Sequence, residues 1–98
     1  MSQTRKSPRP APAVRPKTVE RIQTGIRLEK RLIKVLKAFA ELKDMTLGDL
    51  VEGIVLHAFE GQPAFSQDTL KLIDQLKQIY GLDLNANASH QMMDRKGE

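Results

Sequence analysis

The sequence has no cysteine, no tryptophan and only four aromatic residues among its 98 residues. Without cysteine, a disulfide scaffold and a thiolate metal site are both excluded. The two histidines, His57 and His90, lie too far apart for a metal-ligand spacing, so we predict neither a metal nor a cofactor. The scarcity of aromatic residues argues against binding of single strands through stacked bases.

Long apolar runs are also missing. No run approaches the roughly 18 residues that span a bilayer, and the N-terminus lacks the apolar stretch of a secretory signal. We therefore expect a cytoplasmic protein without a membrane partner. A chain this short forms one small domain. It contains no Ser/His/Asp set, paired-carboxylate pocket or phosphate-cradling glycine loop, so we do not expect an enzyme.

The positive charge is concentrated in the first half of the chain. Residues 1–43 carry twelve Lys and Arg against three acids, a net charge of +9, whereas residues 44–98 carry four against nine, a net charge of −5. A strongly basic half indicates a polyanionic partner. Together with the lack of stacking residues, this favours double-stranded DNA.

Residues 1–18 contain four of the five prolines and no acid. Such a segment cannot form a core, and its prolines and like charges favour extended conformations. We expect a disordered arm that contacts DNA non-specifically, with a merely solubilising tail as the alternative. Its basic residues are Arg5, Lys6, Arg9, Arg15 and Lys17.

Residues 21–28 alternate between apolar and polar side chains, which is the period of a half-buried strand. The chain offers no second strand, and a lone strand leaves a row of unpaired amides and carbonyls. We therefore predict that the strand pairs with its own copy in a symmetric homodimer.

Three helices should follow this strand. Apolar residues recur at spacings of three and four, Thr46 and Ser66 are suitable N-caps, and Gly61 and Gly81 are suitable ends. The predicted bounds are residues 29–43, 46–61 and 67–80. The third helix could extend the dimer core, join adjacent dimers or bind another protein.

The order of strand, helix, capped turn and helix in residues 21–59 resembles the ribbon-helix-helix family of DNA-binding proteins, which includes the Arc and MetJ repressors and the CopG-like plasmid regulators. Gln23-x-Gly25-x-Arg27 looks like the outward triplet of that family's strand, and Asp44-Met45-Thr46 stands where the family has a Gly-x-Ser or Gly-x-Thr turn. The resemblance implies a mostly α fold with one short strand, in an intertwined homodimer with an intermolecular antiparallel β-ribbon and an added C-terminal helix.

The resemblance also assigns candidate DNA contacts. Gln23, Gly25 and Arg27 would read bases in the major groove, where Arg pairs well with guanine and Gln with adenine. The turn at Thr46, Leu47 and Gly48 would hold a phosphate, because a helix N-terminus presents free amides and a positive dipole end. Separately from the resemblance, the first helix is rich in basic residues, for which a solvated helix face is the alternative to DNA contact. Among Lys30, Arg31, Lys34, Lys37 and Lys43, we choose Lys30 and Lys43 as candidate contacts to the DNA backbone.

These expectations divide the chain into four parts. They are a basic arm (1–18), a ribbon-helix-helix domain (19–61), a C-terminal helical extension (62–84) and a flexible tail (85–98). The function that we predict is sequence-specific binding of duplex DNA by a transcriptional regulator, most simply a repressor. Two alternatives are an antitoxin whose acidic C-terminal third masks a toxin, and a plasmid-partition adaptor that acts on a partition ATPase.

Overall fold

A computed structural model of the chain describes residues 16–95. These residues form three α-helices, α1 (Lys30–Leu42), α2 (Leu47–Phe59) and α3 (Gln67–Tyr80), and a short 3-10 turn at Ala86–Ala88. The three helices predicted from the sequence are thus present. Most of the predicted arm lies outside the described residues, including Arg5, Lys6, Arg9 and Arg15, whereas Lys17 is described and exposed.

Each helix begins at a side-chain cap. Glu29, Thr46 and Ser66 each accept a hydrogen bond from the amide three residues later, at 2.8, 3.0 and 3.2 Å respectively. These bonds satisfy amides that have no partner within the first helical turn. At the other ends, Gly61 follows α2 and Gly81 ends α3, both with φ of 68°, a conformation in which glycine has no steric penalty.

The turn between α1 and α2 places Asp44 in the left-handed region, with φ of 58°. Because a Cβ atom is unfavourable there, we expect Asp44→Gly to raise the free energy of unfolding by about 0.5–1 kcal/mol. Urea unfolding at fixed protein concentration measures this change. The matched control is Gly61→Ala, which adds a Cβ at a left-handed position and should destabilise the protein. Equal stability of the wild type and Asp44→Gly would contradict the argument.

The core lies where α1 packs between the other two helices. The buried hydrophobic residues are Val35, Phe39, Ala40, Leu50, Leu76 and Leu82. Phe39 meets Phe65 edge to face, with ring centroids 5.5 Å apart. No side chain among residues 16–95 is less than 2% exposed. The single chain therefore has a small and incompletely covered core.

The predicted strand and the ribbon-helix-helix fold class are wrong. Residues 16–29 precede α1 without regular secondary structure, and the structure of residues 16–95 contains helices but no strand or sheet. A strand needs a partner in a hydrogen-bonded ladder, and the described part of the chain supplies none. The apolar residues of this segment are accordingly uncovered, with Ile22 80% and Ile26 70% exposed.

Candidate nucleic-acid interface

Three lysines form a stripe along α1. Lys30, Lys34 and Lys37 follow one another at spacings of four and three, so they share one face of the helix, and all three are exposed. Val35 and Phe39, on the opposite side, are buried. Every ion pair within residues 16–95 involves an arginine. These lysines are therefore available to an external anion.

The extended segment that leads into α1 carries the three predicted base-reading residues. Gln23, Gly25 and Arg27 are all exposed, and the space beside Gly25 is open. The ribbon that would have aligned them on one face is not present. Arg27 forms an ion pair with Asp94, near the C-terminal end of the described residues. The structure thus leaves Gln23 and Gly25 accessible but gives Arg27 an acidic partner.

Arg21 attaches the extended segment to α2. Its guanidinium donates two hydrogen bonds of 2.8 Å to Glu52, and it lies 3.6 Å from the carboxylate of Asp49. The hydrogen bond with Glu52 raises the pKa of Arg21 above its ordinary value and lowers the pKa of Glu52. Both groups are charged at neutral pH, and the pair joins the extended segment to the first half of α2.

Arg31, on the first turn of α1, has several partners at once. It donates to Glu29 at 2.9 Å, to Asp83 at 2.9 Å and to the carbonyl oxygen of Gly81 at 3.0 Å. Burial raises the pKa of Glu29, but hydrogen bonds from Leu32 N–H and Arg31 outweigh it and leave the pKa below its ordinary value. Arg31 therefore joins the start of α1 to the residues that follow α3.

The predicted phosphate site at the start of α2 has mixed charge. Thr46 accepts from the amide of Asp49, whereas Leu47 and Gly48 occupy the first turn, where amides have no partner within the helix. Lys43 lies near, because it lines the same shallow cleft as Asp49, and its ammonium is 5.9 Å from the centre of the Phe39 ring. The turn thus offers amides and a lysine, but also the carboxylate of Asp49.

The predicted site residues fall into separate groups. Four of them, Thr46, Leu47, Gly48 and Lys43, are close together at the α1–α2 turn. Lys30 lies at the other end of α1, where the lysine stripe begins. The sequence analysis considered Lys34 and Lys37 together with Lys30 as a basic helix face, but it did not choose them as phosphate contacts. Their spacing from Lys30 was the signal that could have identified them.

No family model matches the chain, and neither a curated protein nor a solved structure matches it. None of the helices within residues 16–95 has the length and apolar character needed to cross a membrane. We therefore infer the candidate interface from the charges, exposures and contacts of residues 16–95.

Proposed function

We propose that the protein binds double-stranded DNA and acts as a transcriptional regulator, most simply a repressor. The observation that carries this proposal is the lysine stripe of α1, Lys30, Lys34 and Lys37, which lies next to the exposed extended segment. Phosphate contacts from Lys and Arg supply essentially all of non-specific DNA affinity and a large share of specific affinity. A helix with one buried face and one lysine face can dock on a phosphate backbone without exposing its core.

The charge distribution of the described residues supports the same surface. Residues 16–43 carry eight Lys and Arg against three acids, whereas residues 44–95 carry three against eight. Like charges in the second half would repel DNA from α2 and α3. The extended segment and α1 are therefore the part that DNA would approach, and the exposed side chain of Gln23 is accessible there.

The double substitution Lys34→Gln with Lys37→Gln tests this surface. If both lysines contact phosphates, the slope of log affinity against log salt should fall by about 0.9 per lysine. If the wild type and the variant bind equally near 1 M salt, affinity at 0.1 M salt then falls by up to about 60-fold for each subunit whose two lysines contact the DNA. Fluorescence anisotropy with a labelled duplex, at several salt concentrations, measures both quantities.

The matched control removes the same charge from another helix. Lys71→Gln with Lys77→Gln changes two lysines of α3 and lowers the net charge by the same amount. This variant should bind with nearly the salt slope of the wild type. Equal losses in the two variants would show a general effect of net charge and would count against the α1 surface. Selection of bound duplexes from a random pool then determines whether binding is sequence-specific.

We also propose that the DNA-binding form is a homodimer. Only Leu50 of α2 is buried, while Leu56 is 62% and Phe59 80% exposed. An uncovered apolar helix face of this kind is typical of protein interaction surfaces. A second copy would cover it symmetrically and would enlarge a core in which no side chain among residues 16–95 is fully buried.

Phe59→Ser should weaken this dimer. Burial of a phenylalanine contributes on the order of 1 kcal/mol or more, and a two-fold dimer loses it twice, so the dissociation constant should rise by about 30-fold or more. Sedimentation equilibrium measures it. Ile79→Ser on α3, where the side chain is 72% exposed, is the control and should leave association unchanged. A wild-type protein that is monomeric at high micromolar concentration would refute the dimer.

A further inference from the structure

The residues that follow α3 turn back along the helical body. We call residues 81–95 the C-terminal segment. Gly81 reverses the chain, and the amide of Leu82 donates a 2.8 Å hydrogen bond to the carbonyl of Lys77. The side chain of Leu82 is buried in the core, and Leu84 packs against it. The beginning of the segment is thus anchored by apolar contacts.

The rest of the segment borders an apolar cleft beside α1. The cleft has a volume of about 370 Å³, and Leu32 and Leu36 of α1 line it together with Ala88, Ser89 and Met92. The 3-10 turn at Ala86–Ala88, which begins at a hydrogen bond of 3.0 Å from the amide of Asn87 to the Asn85 side chain, bends the chain toward this cleft. This course brings Asp94 to Arg27.

Both carboxylates of the C-terminal segment pair with arginines of the candidate interface. Asp83 binds Arg31, and Asp94 binds Arg27. The two pairs differ in their surroundings. Asp83 and Asp94 are both exposed, at 81% and 73%, so the difference lies in the arginines. The Arg31 side chain is only 36% exposed and has Glu29 and Gly81 as further partners, whereas Arg27 is 86% exposed. The Arg31 pair therefore belongs to the fold, while the Arg27 pair can exchange with solvent anions.

We propose that the C-terminal segment competes with DNA for Arg27, and that Asp94 lowers the affinity of the protein for DNA. This inference rests on the proposed function. A carboxylate and a phosphate oxygen bind a guanidinium in the same way, so Arg27 cannot satisfy both fully. Because the Arg27–Asp94 pair lies in water, its strength is modest and falls with salt. The Arg27–Asp94 contact therefore lowers the affinity for DNA modestly and breaks when DNA binds.

Asp94→Asn should tighten DNA binding by about two- to fivefold at low salt, the range that corresponds to an exposed ion pair. Asp68→Asn removes the same charge from the first turn of α3 and serves as the matched control. In a protein that already carries Arg27→Gln, Asp94→Asn should increase the affinity for DNA by no more than Asp68→Asn does. Equal affinities of Asp94→Asn and Asp68→Asn, in a protein that binds DNA, would overturn the competition and leave the proposed function intact.

A second measurement follows the segment itself. The chain has no cysteine, so Met93→Cys, at a position that is 90% exposed, accepts a single spin label. In the absence of DNA, Arg27→Gln should make the label more mobile than it is in the protein that retains Arg27. Addition of duplex DNA to the protein that retains Arg27 should also make the label more mobile. A label that stays unchanged when DNA binds would refute the release. Absence of any salt-dependent DNA binding would refute the proposed function and this inference together.

Discussion

Phe39→Ala should remove most of the stability of the protein. The Phe39 side chain is 5% exposed, meets Phe65 edge to face and lines the clefts on both sides of α1. Truncation of a buried phenylalanine costs about 3–5 kcal/mol, because its apolar contacts are lost and a cavity remains. Small domains have a total stability of about 5–15 kcal/mol. Urea unfolding followed by circular dichroism, at one fixed protein concentration, measures the loss.

Two further variants separate burial from helix propensity. Ile79→Ala changes a residue of α3 that is 72% exposed, so it should alter the free energy of unfolding by no more than about 0.5 kcal/mol. Phe39→Leu keeps an apolar side chain in the core and should lie between the wild type and Phe39→Ala. A loss below about 1 kcal/mol for Phe39→Ala would show that Phe39 is not central to the core.

The helices could be predicted because their signals are local. Thr46 and Ser66 act on amides three residues away, and Gly81 acts at the end of its own helix. The strand could not be predicted in the same way. Alternating side chains show that a segment suits a sheet, but a sheet also needs a partner strand, and the described chain provides none. The alternation in residues 21–28 therefore describes an extended segment.

The candidate interface was predicted only in part, for a similar reason. A positive first half is a property of composition, and the lysine stripe follows from helical spacing, so both can be obtained from the sequence. The acidic partners of the arginines cannot be obtained from the sequence. Arg21 meets Glu52 across 31 positions, and Arg27 meets Asp94 across 67. Which arginines are neutralised within the chain depends on how α2 and the C-terminal segment lie against the extended segment.

Deletion of residues 1–18 should produce the largest change in DNA binding. The deleted residues contain five Lys and Arg and no acid, although all but residues 16–18 lie outside the described structure. Each charge that engages a phosphate releases counterions and adds about 0.9 to the salt slope, so the slope should fall by up to about 4.5 for each engaged arm. If both proteins bind equally near 1 M salt, affinity at 0.1 M salt should then fall by about 8-fold for each charge that contacts a phosphate, and by well over 100-fold if three or more do.

Because phosphate contacts carry no sequence information, this deletion should weaken the binding of preferred and random duplexes by similar factors. Measuring both duplexes at several salt concentrations, with the full chain and the shortened one, tests the expectation. Asp94→Asn, introduced into the full chain and into the shortened chain, should increase the affinity for DNA by the same factor in each. Its effect acts through Arg27 and does not involve the deleted residues. An unchanged salt slope would refute contact between residues 1–18 and DNA.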